Sequence, residues 1–332
     1  IGGECAGAIT FLPIGTAFPH EASSYRPLSE NELANVLREL PHRPLLAGDG
    51  QVRLSLAGAQ EKLAVYVDDD AISIPLGIAP STHIIKPNIP RYAGMVHNEA
   101  LCMRLAQHIG LQVAHVETKS VEGIDFLMVE RYDRIPSSPV GNTSTPRAHF
   151  VRIHQEDFCQ ALGILSEKKY QIEGGPSIAD CFRLLREISS FPVLDLQRLL
   201  DGILLNFFIG NNDAHGKNYS LLYTIDPLNG SVYVRLAPLY DLVCTMYYPD
   251  LTTQMAMSIG KYKSDRILPS HFEQMAEESG LSKSLVKKRI IEMAQIILEN
   301  VDEVITDHPV SREVAKWIRV HTQDTLLQFQ KK

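Results

Sequence analysis

Apolar positions along the chain change their period part-way through. In the early part they form short alternating or continuous runs. Val52 to Val67 reads as a β-hairpin with Ala57-Gly58-Ala59 at its turn, and Thr82 to Lys86 as a strand stopped by Pro87. Phe126-Leu127-Met128-Val129 is a further strand, ending at Glu130-Arg131-Tyr132-Asp133. Two helices interrupt this pattern. One opens on the capping-box sequence Ser29-Glu30-Asn31-Glu32 and runs to Leu40. The other carries Leu101, Leu105 and Ile109 on one face and stops at Gly110. Later the helical period dominates. Leu196, Leu199, Leu200, Ile203, Leu204 and Phe207 recur at three and four residues, which predicts a buried helix leading into Asn211 and Asp213. Tyr219 to Tyr223 and Ser231 to Leu236 predict strands about the turn Asp226-Pro227-Leu228-Asn229-Gly230. From His271 to Phe329 the chain reads as helices, with Gly280 between two of them and Ser282 and Pro309 near helix starts.

The stretch from Pro136 to Arg147, rich in Ser, Pro, Thr and Gly, reads as a linker and lobe boundary. The expected fold class is therefore α+β in two lobes, a β-rich N-terminal lobe over residues 1–135 and a mainly helical C-terminal lobe over 136–332. A length of 332 residues suits two such lobes, and 45% hydrophobic residues suffice for a packed core. The net charge of −7 argues against general coating of nucleic acid. No apolar run approaches the length of a membrane span, and Ile9 to Ile14 is short and lacks the basic flank of a signal peptide. Five scattered cysteines with no C-x-x-C pair fit reduced thiols in a cytoplasmic protein. The chain opens on Ile1 and runs straight into Gly2-Gly3-Glu4-Cys5, which reads as entry into the middle of a domain whose N-terminal piece is absent.

The densest chemistry lies in Gly210-Asn211-Asn212-Asp213-Ala214-His215-Gly216-Lys217-Asn218, followed by Tyr240-Asp241. An aspartate, an asparagine five residues on and a later aspartate are the order found in a protein-kinase catalytic loop. There the first Asp takes the substrate hydroxyl proton, and the Asn and second Asp hold magnesium. Two other readings compete. A P-loop fails because five residues separate Gly210 from Gly216 and Asn218 stands where Ser or Thr is needed. A metal hydrolase using Asp213, His215 and Asp241 stays open, as does a purely structural His215.

Two earlier segments supply what a phosphate-transfer site needs. Arg53 to Lys62 carries the small residues Ala57, Gly58 and Ala59, which let backbone N–H groups approach a phosphate; a plain tight turn is the alternative. His83-Ile84-Ile85-Lys86 ends a buried strand with a lysine able to reach ATP phosphates, and Glu99, thirteen residues on, could orient it. The bland alternative is an exposed strand-end lysine and a solvated glutamate at a helix start.

Five segments together, Ser55 to Lys62, Thr82 to Lys86, Val129 to Arg134, His154 to Ala161, and Asn212 to Asn218 with Tyr240-Asp241, resemble the HipA family of bacterial toxin–antitoxin serine/threonine kinases. The matches run in chain order from about residue 53 to 241, and the Ser55 segment is the most specific. The resemblance implies ATP and Mg2+ as cofactors, Asp213 as catalytic base, and Asn218 and Asp241 as metal ligands. It implies Lys86 on the ATP phosphates and Ala57, Gly58, Ala59, Gln60, Glu61 and Lys62 as the phosphate-side loop. Glu130, Arg131 and Tyr132 become the hinge against adenine, with His215, Gly216, Lys217 and Tyr240 lining the nucleotide site. Ser55 matches a serine that such kinases autophosphorylate; an added phosphate could pull the adjacent loop from its ATP-binding form.

The same resemblance implies an aminoacyl-tRNA synthetase as substrate and a helix-turn-helix antitoxin of HipB type as partner, DNA being bound only through it. Family members usually carry a small N-terminal subdomain ahead of the segment where this chain starts; a separate small protein could supply it. Two rivals of other classes remain at this stage. One is a small-molecule phosphotransferase of kinase-like fold, such as an aminoglycoside phosphotransferase. The other is a catalytically silent subunit of an antitoxin–DNA complex.

Overall fold

The computed structural model of the chain describes residues 4–10, 14–15, 24–40, 54–55, 61–137, 149–262 and 267–330. It divides into two compact units, Ile1–Val96 with Ala114–Gln155, and His97–Val113 with Glu156–Lys332.

The first unit is built on a six-stranded antiparallel sheet. In chain order its elements are β1 (Glu4–Cys5), β2 (Ser24–Pro27), α1 (Glu30–Glu39), β3 (Leu54–Ser55), β4 (Leu63–Asp68), β5 (Ala71–Leu76) and β6 (His83–Pro87). After α2 (Met95–His108) come β7 (Val116–Val121), β8 (Ile124–Glu130), β9 (Arg134–Ser137), β10 (His149–Arg152) and β11 (His154–Asp157), the last crossing into the second unit. The sheet order is β2-β5-β4-β6-β8-β7. Helix α1 starts as its sequence predicts: the Ser29 hydroxyl accepts from the Glu32 amide, and the Glu32 carboxylate accepts from Ser29 N at 2.8 Å. Leu33, Ala34, Leu37 and Leu40 then pack with Leu63, Val65, Ile74, Ile85 and Phe126 to form the core.

Among the described residues the two arms of the expected Val52–Val67 hairpin, β3 and β4, do not pair with each other. Strand β3 pairs in parallel with β1, Glu4 opposite Leu54 and Cys5 opposite Ser55. Strand β4 instead turns back into β5 through Asp69 and Asp70, whose φ angles of 51° and 89° suit a tight hairpin turn. Aspartate tolerates that conformation, so the true hairpin signal was the Asp68-Asp69-Asp70 run. The proposed turn residues Ala57–Ala59 lie outside the described residues.

The second unit is mainly helical, as expected. After α2 it contains α3 (Phe158–Ala161), α4 (Ile178–Ile188), α5 (Pro192–Phe208), the hairpin β12 (Ser220–Ile225) and β13 (Val232–Leu236), then α6 (Pro269–Glu278), α7 (Lys283–Asn300) and α8 (Pro309–Gln330). Helix α5 is its axis. Every residue from Leu199 to Phe208 is buried, and α5 packs on α4, α7 and α8. Asp195, in the first turn of α5, is fully buried; it accepts from Arg198, Arg235 and the Leu236 amide, tying the helix to β13.

The structure cuts the chain elsewhere than at 135/136. Strands β9 and β10 pair antiparallel, Arg134 opposite Arg152, and both belong to the first unit, which runs on to Gln155. Residues 97–113 join the second unit because Asn98 brackets Cys244 with two hydrogen bonds, and Leu239 N donates to Gln112 O at 2.8 Å. Among the described residues no helix is long and apolar enough to cross a membrane.

Candidate active site

The C-terminal end of α5 positions the loop that carries most of the chemistry. Gly210 N donates to Phe207 O and Asn211 N to Asn206 O, the paired bonds of a Schellman ending. Gly210 has φ of +68°, and a Cβ there would lie 2.4 Å from the Trp317 ring, so both backbone and space require glycine. Asn206, on the last turn of α5, anchors the loop from inside: it donates to the Tyr219 hydroxyl and accepts from Asn211 Nδ2 at 2.7 Å. Thr245 closes the other side, accepting from Asn212 N at 2.8 Å and donating to Gly210 O at 3.0 Å.

Within this frame Asn218 and Asp241 meet. Asn218 Nδ2 donates to Asp241 Oδ2 at 2.9 Å, and Asn218 Oδ1 accepts from His215 N at 2.9 Å. Asp241 has φ of +60°, rare for a side-chain-bearing residue and the kind of local strain that persists where surroundings enforce it. Asn211 Nδ2 supplies part of that enforcement by donating to Asp241 O at 3.3 Å. Asp213 is exposed; its amide donates to Asn211 Oδ1 and its carboxylate accepts from Tyr170. An amide oxygen and a carboxylate are hard donors of the type an octahedral Mg2+ takes beside phosphate and water; here Asn218 Oδ1 is engaged by His215 N, so ligation would require the amide to turn over. Asp213, His215 and Asp241 do not form a converging three-ligand set among the described residues.

The neighbouring side chains have roles that spacing did not reveal. His215 is buried, and burial pushes its imidazole below the ordinary value against the pull of Asp213, so it is neutral near pH 7. Its Nδ1 is buried without a hydrogen-bond partner among the described residues, an unsatisfied group of the kind a ligand can pair. The Lys217 ammonium lies 3.5 Å from Asp157, the residue that caps α3. The Tyr240 hydroxyl donates to Lys217 O and shares a 2.7 Å bond with Ser220, bracing the loop from below. Gly216 sits where an added Cβ would be 2.4 Å from Pro176 Cγ. Gly216→Ala is expected to cost about 1–3 kcal/mol through overpacking against that ring and to impair the loop; thermal melting with a phosphate-transfer assay checks this, and an unchanged melting temperature would refute it.

Apart from Glu99, the remaining predicted residues lie in the first unit. Lys86 is 8% exposed near the end of β6, opposite Leu127 of β8. Glu99 is buried in the second unit, on α2. Glu61 and Lys62 are half-buried just before β4, whereas Ala57, Gly58, Ala59 and Gln60 lie outside the described residues, as does the Ser55 side chain. Of the hinge segment, Glu130 N donates to His115 O and Arg131 N to Thr82 O. The Arg131 side chain is committed to structure. Its guanidinium pairs with Asp133 at 2.8 Å and donates to Ser81 Oγ and Cys5 O. Arg134 pairs with the same carboxylate at 3.0 Å, which also accepts from Gly7 N at 2.7 Å. This cluster, with all three side chains at most 2% exposed, pins the start of the described chain to the end of β8.

Sequence reasoning missed Tyr170, Asn206, Asn211 and Thr245 as site-building residues. Asn206 lay inside an apolar helical pattern where a buried amide is the anomaly to notice; the others carry no spacing signal.

Comparison with known proteins gives a consistent assignment. The family model of the HipA-like C-terminal domain matches residues 54–301. Y4mE, a candidate kinase of Sinorhizobium fredii, is 44% identical over 312 residues, covering 92% of this chain and 71% of that protein. The serine/threonine-protein kinase toxin HipA of Shewanella oneidensis is 32% identical over 341 residues, covering 98% of this chain and 74% of the toxin. The solved structure of Shewanella oneidensis HipA with HipB and operator DNA superposes with a TM-score of 0.77 at 28% identity, over 98% of this chain and 75% of that one. The chain belongs to the HipA-like kinase family.

Proposed function

We propose that the chain is an ATP- and Mg2+-dependent serine/threonine protein kinase. The observation that carries this reading is the contact between Asn218 and Asp241 on the loop that exposes Asp213. In this reading Asp213 accepts the proton of the acceptor hydroxyl, and Asn218 and Asp241 hold the metal. The metal, when bound, neutralises charge on the phosphates. Lys86 serves the phosphates, Ala57 to Lys62 form the loop over them, and Glu130 to Tyr132 flank adenine. His215, Gly216, Lys217 and Tyr240 shape the nucleotide site, the last two through backbone bracing and the Asp157 pair.

By family analogy we assign the protein to a cytoplasmic, growth-arresting role, with an aminoacyl-tRNA synthetase as substrate. A HipB-type antitoxin would be the route to DNA. The relative whose structure contains HipB and operator DNA supports that partner class.

Incubation with Mg·ATP is expected to add one phosphate, on Ser55, detected by intact-mass and peptide mass spectrometry. A protein that binds ATP yet gains no mass would count against the mechanism. Phosphoproteomics of cells expressing the chain beside Asp213→Asn would name the substrate.

A further inference from the structure

The roles assigned above leave Tyr170 unexplained. It lies between two 3-10 turns, Ser166–Lys168 and Gln171–Glu173, and its hydroxyl donates to Asp213 Oδ1 at 2.8 Å. Its ring meets His215 edge-on at 5.5 Å, and the Lys169 ammonium lies 4.8 Å from the ring centroid. Burial, followed by the bond to Asp213, pushes the phenol well above its ordinary value, so at neutral pH it is a donor.

The backbone that carries Tyr170 is fastened to the Asp213 loop. Gln171 N donates to Ala256 O at 3.1 Å, and Gln171 Oε1 accepts from both Ser258 N and its hydroxyl. Ala256 N in turn donates to Asn212 O at 2.7 Å, one residue before Asp213. The phenol is thus brought to the carboxylate on a fixed frame. Its ring can still leave by side-chain rotation, because none of the frame's bonds involves the ring. Leu165 and Ile172, on either side, are 66% and 73% exposed, so this segment faces solvent, where a protein substrate can reach it.

A hydroxyl donating to the base carboxylate is the arrangement an acceptor alcohol must adopt before transfer. We propose that Tyr170 occupies the acceptor-hydroxyl position on Asp213 in the resting protein and yields it to the hydroxyl of a protein substrate. This rests on the assignment of Asp213 as base. The device keeps water from the same position. A water admitted there would pass a proton to Asp213 while its oxygen bonds to the γ-phosphorus of ATP. The bond from that phosphorus to the bridging oxygen would break, leaving ADP and inorganic phosphate.

Two measurements test the proposal. In protein labelled at tyrosine Cζ with carbon-13 and free of nucleotide, the resonance missing from Tyr170→Phe identifies Tyr170; it should shift in Asp213→Asn. With Mg·ATP and no protein acceptor, hydrolysis by Tyr170→Phe should exceed wild type by roughly tenfold, the population released by one ordinary hydrogen bond, with KM for ATP unchanged. Tyr170→Leu should give the same resonance assignment and the same rise. Melting and binding of a fluorescent ATP analogue establish that the variants are folded. An unmoved Tyr170 resonance in Asp213→Asn, or hydrolysis no faster than wild type in folded variants, overturns the proposal while leaving the kinase reading intact. If the wild type neither phosphorylates Ser55 nor hydrolyses ATP, and Asp213→Asn alters neither, the base assignment fails and the proposal falls with it.

Discussion

Asp213→Asn should lower phosphate transfer by about 10²–10⁴-fold, the usual contribution of a positioned general base. The change is isosteric and the residue is exposed, so the fold has little reason to respond. The backbone bond from residue 213 to Asn211 is retained. What disappears is the capacity to take up a proton. Melting temperature and ATP affinity should therefore stay near wild type while turnover collapses, a pattern that separates a chemical role from a structural one. Wild-type turnover in the variant would exclude Asp213 as the base.

The largest expected effect on stability is at Asp133. Its carboxylate faces two buried guanidinium groups, Arg131 and Arg134, and accepts the Gly7 amide. Asp133→Asn leaves both cations without their counter-charge, which should cost about 3–5 kcal/mol. For a unit of this size that corresponds to a fall in melting temperature of roughly 6–20 °C. Burial alone would raise the Asp133 carboxyl, but Arg131, Arg134 and Gly7 outweigh it and hold it below the ordinary value. Its contribution is therefore fully present above the unfolded carboxylate value near ~3.9 and fades as pH falls through the lower folded value. Melting curves of wild type and variant should converge in strong acid and separate at neutral pH. Adding Arg131→Met to the variant should recover part of the loss, since one uncompensated charge is removed. Equal stability of wild type and Asp133→Asn at pH 7 would show that the cluster is not an anchor.

Helices were more legible in the sequence than strand pairings. The i, i+3, i+4 pattern of α5 and the capping box of α1 are local signals, and both elements appear where their residues put them. Strand partners are another matter, because pairing is decided by residues distant in the chain. The Ser55 strand pairs with β1 at the start of the described chain, and β9 finds its partner in β10, on the far side of the Ser/Pro-rich stretch. The candidate site was readable where one loop holds the residues in order, as with Asp213 and Asn218. The Asn218–Asp241 contact needed the fold to become visible, although the resemblance anticipated both partners. Tyr170 was invisible because it arrives from 43 residues away, through a segment with no periodic signal.

The Schellman ending of α5 has a consequence for how the molecule fails. The Asp213 loop is joined without a break to the buried helix α5, through Gly210, Asn211 and Asn206. Loop order is thus inherited from the core, and the two should exchange their amide protons as one cooperative block. Lesions at core positions such as Leu204 or Phe208, which touch no reacting group, would then surface in a genetic screen as loss of activity in step with loss of the protein from the cell.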